Sequence, residues 1–122
     1  MEIMIVDDDR DSLESVGKFL EIFGHKCSLF DSAAPALKIY QETFPPLIIT
    51  DLKMPVISGL DLITSIKKLK PSQPILVITG FADDEETAAA LRLGAAAVLE
   101  KPLDIEQLLA HIDNFASTIE YS

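Results

Sequence analysis

Four short apolar runs, at residues 3–6, 47–50, 75–78 and 96–99, and a weaker fifth at 26–30 alternate along the chain with stretches whose apolar positions fall three and four apart. The pattern predicts strand then helix, five times over. The first helix is expected over 9–23, with Leu13, Val16, Leu20 and Phe23 on one face, Asp9 or Asp11 near its start and Gly24 just past its end. Asp31-Ser32 offers an N-cap for the second, in which Leu37, Tyr40 and Phe44 share a face and Pro35 sits in the first turn, where a missing N–H does little harm. Ser58-Gly59 leads into the third, striped by Leu62, Ile63, Ile66 and Leu69 and closed by Pro71 and Pro74. The fourth, over 83–93, is rich in alanine. Its opening acids Asp83, Asp84, Glu85 and Glu86 complement the helix dipole, so that burst reads as structure rather than chemistry, and Gly94 is its C-cap candidate. Ile105, Leu108, Leu109, Ile112, Phe115 and Ile119 stripe the last.

The run Leu47-Ile48-Ile49-Thr50, bounded by Pro45-Pro46 before and Pro55 after, suits a strand buried on both faces. Strands too apolar for one solvated face, in strict alternation with helices, argue a parallel sheet covered on both sides. Right-handed crossovers then favour an α/β, flavodoxin-like (βα)5 three-layer sandwich with strand order 2-1-3-4-5. No repeat, low-complexity tract or linker interrupts the pattern, so 1–122 is expected to form one domain. In that order strands 1, 3, 4 and 5 are neighbours, and their carboxyl ends share a rim. Asp7, Asp8, Asp51, Thr79 and Lys101 therefore converge.

Composition narrows the setting. With 20 acidic against 10 basic residues the net charge is −10, a field that repels phosphate backbones and anionic membrane surfaces, so direct nucleic-acid or membrane binding is not expected. The single cysteine, Cys27, excludes an internal disulfide, and residues 1–6 are too short and too soon followed by acids for a signal peptide. A reducing cytoplasm is the expected compartment.

Carboxylates packed within a few ångströms do not all stay ionised without a cation, because like charges raise one another's pKa. Hard oxygen donors with no histidine or cysteine beside them favour Mg²⁺ or Mn²⁺ and leave positions for water and a phosphate oxygen. Lys101 and Thr79 suit the same chemistry, as an ammonium and a hydroxyl for the oxygens of a transferring phosphoryl group. Asp51 is the candidate nucleophile, being central and without an acidic neighbour in sequence; a turn Asp that merely ends its strand is the alternative. Lys101-Pro102 is a candidate cis peptide.

These residues carry a resemblance over essentially the whole chain. Ile5-Val6-Asp7-Asp8-Asp9, Asp51-Leu52-Lys53-Met54-Pro55 with Gly59, Ile78-Thr79-Gly80, and Gly94-Ala95 followed by Lys101-Pro102 together resemble the receiver domain of bacterial two-component response regulators. The resemblance implies Asp51 as phosphoacceptor, with Asp7, Asp8, Asp51 and the backbone carbonyl of Lys53 around Mg²⁺. It implies Thr79 and Lys101 as ligands of the phosphoryl oxygens. The donor would be a phosphohistidine on a sensor kinase or histidine phosphotransfer protein. The output would be a change on the face of the fourth helix, fifth strand and fifth helix, a surface that could also serve a homodimer.

Val98 stands where receivers usually carry an aromatic switch residue, so coupling through Thr79 is expected to be altered or carried by Phe81. The Lys53 ammonium is expected to pair with Asp8 or Asp9, or to interfere with the water that hydrolyses an acyl phosphate. Asp9 reads as a helix-start residue, and His25 and His111 as surface or packing residues away from the rim. An aspartate-based phosphohydrolase would want a carboxylate where Lys53 stands. A flavin carrier would need a loop rich in Gly, Ser and Thr where Asp7-Asp8-Asp9-Arg10-Asp11 repels phosphate. A phosphorylation-silent interaction module is the remaining rival, and the presence of all five site residues argues against it.

Overall fold

The computed structural model describes residues 1–80 and 84–121, with side chains to residue 116. Its elements alternate as expected: β1 (Glu2–Val6), α1 (Arg10–Ile22), β2 (Lys26–Phe30), α2 (Ala33–Thr43), β3 (Leu47–Thr50), α3 (Gly59–Leu69), β4 (Ile75–Thr79), α4 (Glu85–Arg92), β5 (Ala97–Glu100) and α5 (Ile105–Tyr121). All four strand pairings are parallel and the order is β2-β1-β3-β4-β5. The flavodoxin-like three-layer expectation therefore holds.

The period of two along each strand divides the core. Ile3, Ile5, Leu47, Ile49, Leu76, Ile78 and Leu99 point to one face, where Leu13, Val16 and Leu20 of α1 and Leu108 and Ile112 of α5 cover them. Met4, Val6, Ile48, Ile75 and Val77 point to the other, under Tyr40 of α2, Leu62, Ile63 and Ile66 of α3 and Ala90 of α4. Central strands β1, β3 and β4 are thus buried on both faces, whereas β2, one of the two edge strands, leaves Lys26, Ser28 and Leu29 exposed. That explains why 26–30 is the weakest apolar run.

Helix ends follow local chemistry. Asp9 caps α1 by accepting the Asp11 and Ser12 N–H groups, and Ser58 and Asp61 form a reciprocal capping box on α3. Gly24 and Gly94 close α1 and α4 at φ 90° and 111°, each with the paired backbone bonds of a Schellman turn. Three apolar expectations are corrected: Phe23, Phe44 and Leu69 are exposed, because each lies at the last turn or just past it, where the helix has left the sheet. Ser32 precedes α2 without a side-chain cap bond, and Asp31 instead pairs with Arg10 at 2.8 Å. The fourth helix begins at Glu85 with Asp84 as its cap; Asp83 and Phe81 lie outside the described residues, as does the side chain of Ile119.

Candidate functional site

The parallel register carries four strand ends to one rim. Asp51 is aligned by its own N–H, which donates to the Val6 carbonyl at 3.0 Å, and Lys101 by its N–H on the Thr79 carbonyl at 2.8 Å. The strand order sets β1, β3, β4 and β5 side by side, with the candidate residues Asp7, Asp51, Thr79 and Lys101 at the last strand position or one step beyond it, and Asp8 one residue further. The Lys101-Pro102 peptide is cis, as expected.

Asp7, Asp8 and Asp51 offer carboxylate oxygens that all lie within 4.8 Å of one another. Asp7 and Asp51 are buried and Asp8 is exposed, so the cluster faces solvent on one side. The Lys101 ammonium spans the two buried acids, at 3.0 Å from Asp7 Oδ2 and 3.1 Å from Asp51 Oδ2. Burial alone would lower the Lys101 pKa, but its hydrogen bonds to Asp7 and Asp51 outweigh that and raise it. Burial raises the Asp51 carboxyl above its ordinary value, with Lys101 opposing and Asp7 reinforcing the shift. All three donors are hard carboxylate oxygens, and no histidine or cysteine joins them among the described residues, which fits a hard divalent cation.

Asp51 is held from several directions. Its Oδ1 accepts the Leu52 N–H at 2.7 Å, and its carbonyl accepts the Thr50 hydroxyl at 2.8 Å. Behind it Gly59 donates to the Leu52 carbonyl at 2.8 Å, so close that a Cβ there would meet the Asp51 carbonyl oxygen and the Leu52 Cα. A cavity of about 140 Å³, lined by Asp7, Asp51 and Lys101 together with Ile5, Leu13 and Val16, lies beside the cluster. Thr79 ends β4 on the same rim and is 1% exposed.

Lys53 departs from expectation. Its ammonium sits 3.1 Å from Asp84 Oδ2 and 3.9 Å from Glu86 Oε1, not on Asp8 or Asp9. β3 is flanked by β1 on one side and β4 on the other, and Lys101 already lies between the β1 and β3 acids, so the second cation turns to the β4 side. The second acid burst is thus more than a dipole complement. Asp84 both caps α4 through Thr87 and pairs with Lys53, and these contacts, the Thr87 backbone N–H first, hold its pKa below the usual value. The roles of Asp84, Glu86 and the missing Gly59 side chain had no motif in sequence beyond Gly59 itself. Val98 packs half-buried against the α2–α4 side of the core. His25 lies at the opposite end of the sheet, beside the N-terminal amine.

The response regulator receiver domain family matches residues 3–113. The chain belongs to this family. The receiver is 31% identical over 110 residues to the transcriptional regulatory protein PrrA of Mycobacterium leprae, covering 90% of this chain and 47% of that one. It is 31% identical over 113 residues to the transcriptional regulatory protein ZraR of Escherichia coli K12, covering 93% and 26%. The receiver therefore spans under half the length of PrrA and about a quarter of ZraR. Among solved structures, a response regulator receiver domain protein from Clostridium thermocellum superposes with a TM-score of 0.92 at 30% identity, covering 98% of this chain and 97% of that one. The receiver domain of NtrX from Brucella abortus gives 0.88 at 30% identity, with 95% and 98% covered. No described helix is long and apolar enough to cross a membrane.

Proposed function

We propose that this receiver takes a phosphoryl group onto Asp51 from a phosphohistidine of a sensor kinase or histidine phosphotransfer protein, and that residues 1–122 act as one such domain in the cytoplasm. The observation that carries the reading is the Lys101 ammonium bridging Asp7 and Asp51 inside a cluster of three carboxylates. A turn Asp needs no such partner. In the reaction an Asp51 carboxylate oxygen attacks phosphorus while the phosphorus–nitrogen bond to the donor breaks, and the electron pair leaves with the imidazole.

Asp7, Asp8, Asp51 and the Lys53 carbonyl would hold Mg²⁺ or Mn²⁺, which when bound neutralises charge between the acids and the phosphoryl oxygens. The chain's own groups supply the rest. Leu52 N–H holds Oδ1 of Asp51 and so orients the carboxylate. Lys101, released from its pair with Asp51 when that oxygen becomes part of the acyl phosphate, stays charged beside Asp7 and meets a phosphoryl oxygen; Thr79 offers its hydroxyl from the neighbouring strand. Relatives named as transcriptional regulatory proteins support coupling to an output, and the α4–β5–α5 face would carry the change to its partner, in cis or in a homodimer.

Intact-mass analysis after a small phosphodonor with Mg²⁺ tests this on wild type and Asp51→Asn. One added phosphoryl group on wild type and none on the variant is the expected result. No added mass on wild type favours the phosphorylation-silent module instead.

A further inference from the structure

We propose that Lys53 is a charge latch: while Asp51 is unmodified its ammonium ties the N-terminus of α4 to the β3–α3 loop through Asp84, and a phosphoryl group on Asp51 draws it away. The release half rests on the reading of Asp51 as phosphoacceptor.

Lys53 stands two residues beyond Asp51, and its backbone N–H lies 3.4 Å from Asp51 Oδ1. Its ammonium extends across the rim to Asp84 Oδ2 at 3.1 Å, with Glu86 Oε1 at 3.9 Å. The two oxygens of Asp84 have different tasks. Oδ1 accepts both the backbone N–H and the hydroxyl of Thr87, at 3.0 and 3.2 Å, and so caps α4. Oδ2 takes Lys53. A single carboxylate therefore joins the first turn of the helix to the loop that carries the candidate nucleophile.

α4 is suited to control by a weak bond. It has eight residues and buries only Thr87 and Ala90, whereas α3 buries Gly59, Leu62, Ile63 and Ile66. An element with so little buried surface opens locally at small cost. The pair is also easily exchanged, since the Lys53 and Asp84 side chains are 43% and 32% exposed and water screens them. A phosphoryl group brings roughly −1.5 to −2 charge and three strong acceptor oxygens. Placed two residues from Lys53, it outcompetes the two partly exposed carboxylates of Asp84 and Glu86. Loss of Lys53 removes the cation that Asp84 and Glu86 share, which loosens the first turn further.

Hydrogen–deuterium exchange of the whole chain, with intact mass on the same samples, tests the latch. Without phosphodonor, Lys53→Met and Asp84→Asn are expected to speed exchange of the α4 amides roughly twofold to fivefold, the change for losing a surface pair. Asp84→Asn keeps the Thr87 acceptor, so the effect is read with the cap oxygen still present. Wild type carrying a phosphoryl group is expected to show the same acceleration, with no further change in Lys53→Met. Wild-type protection in both unphosphorylated variants overturns the latch. A phosphorylated wild type whose α4 exchange is unchanged overturns its release. Absence of added mass on wild type overturns the phosphoacceptor reading instead, and leaves the unphosphorylated comparison to decide the tether.

Discussion

A Cβ on Gly59 would be driven into the carbonyl oxygen of Asp51 and would lie 2.6 Å from the Leu52 Cα. Gly59 is the first residue of α3, where alanine normally stabilises a helix by up to about 1 kcal/mol. Here the neighbour is backbone, which cannot rotate aside. Gly59→Ala is therefore expected to destabilise by roughly 1–3 kcal/mol, the range for overpacking, and to slow phosphoryl uptake by displacing Asp51. Urea unfolding decides the sign. A stabilised variant would mean that the β3–α3 loop gives way freely.

Val56 holds φ 67° and is fully exposed, in a three-residue turn closed by the Ile57 N–H on the Pro55 carbonyl at 2.8 Å. A β-branched side chain in the left-handed region costs roughly 1–2 kcal/mol, and glycine there gives back about 0.5–1 kcal/mol through its freer unfolded chain. Val56→Gly should stabilise the receiver by roughly 0.5–1 kcal/mol. With no packing lost, the gain should appear as a higher urea midpoint at constant slope. A lower midpoint would show that the Val56 side chain contributes contacts that outweigh its backbone strain.

Cys27 sits half-buried on β2, and burial, with Glu21 nearby, raises its thiol to about 11. The folded chain keeps its proton where an unfolded thiol has begun to ionise. Iodoacetamide at pH 8 should label the native protein far more slowly than the urea-unfolded one, because only the thiolate reacts. The raised value also carries a stability term that is full below the ordinary thiol pKa and is lost as pH climbs from there through about 11. Equal labelling rates in the two states would show the thiol to be open to solvent.

Strand order, the two-faced core and the convergence of Asp7, Asp8, Asp51, Thr79 and Lys101 were legible because each follows from period and connectivity. Apolar strands alternating with amphipathic helices leave few parallel topologies, and any of them with β1, β3, β4 and β5 adjacent brings those residues together. What failed depends on where an element ends or on competition between nearby partners. Phe23, Phe44 and Leu69 continue an apolar stripe beyond the point where the helix still covers the sheet. Asp31 is a fit cap for α2, but the Arg10 guanidinium is within reach and takes it. The sequence places the Lys53 ammonium on Asp8 or Asp9, or over the hydrolytic water, yet Lys101 already serves the β1 side, and Lys53 pairs instead with Asp84 beside β4. Charge partners at a crowded rim are settled by what the other cations have taken, which spacing does not encode.

The strongest electrostatic expectation concerns Asp51 without metal. Burial raises its folded pKa above the unfolded value, so the folded state binds the proton more tightly. The penalty for the ionised form is full at neutral pH and is relieved as pH falls through the raised pKa, levelling off near the ordinary carboxylate value. Metal-free wild type should accordingly gain from this group on mild acidification, and Asp51→Asn should be the more stable protein at pH 7 in EDTA. The margin should shrink as pH falls. Mg²⁺ should reverse the order, since a cation bound only by the folded state stabilises by mass action and the variant lacks one of its three clustered carboxylates. Thermal unfolding of both proteins across this pH range, with EDTA and with Mg²⁺, gives four curves. An EDTA curve at pH 7 in which Asp51→Asn melts first would mean that the Lys101 pair outweighs burial, and that Asp51 stands ionised at the rim without needing a metal.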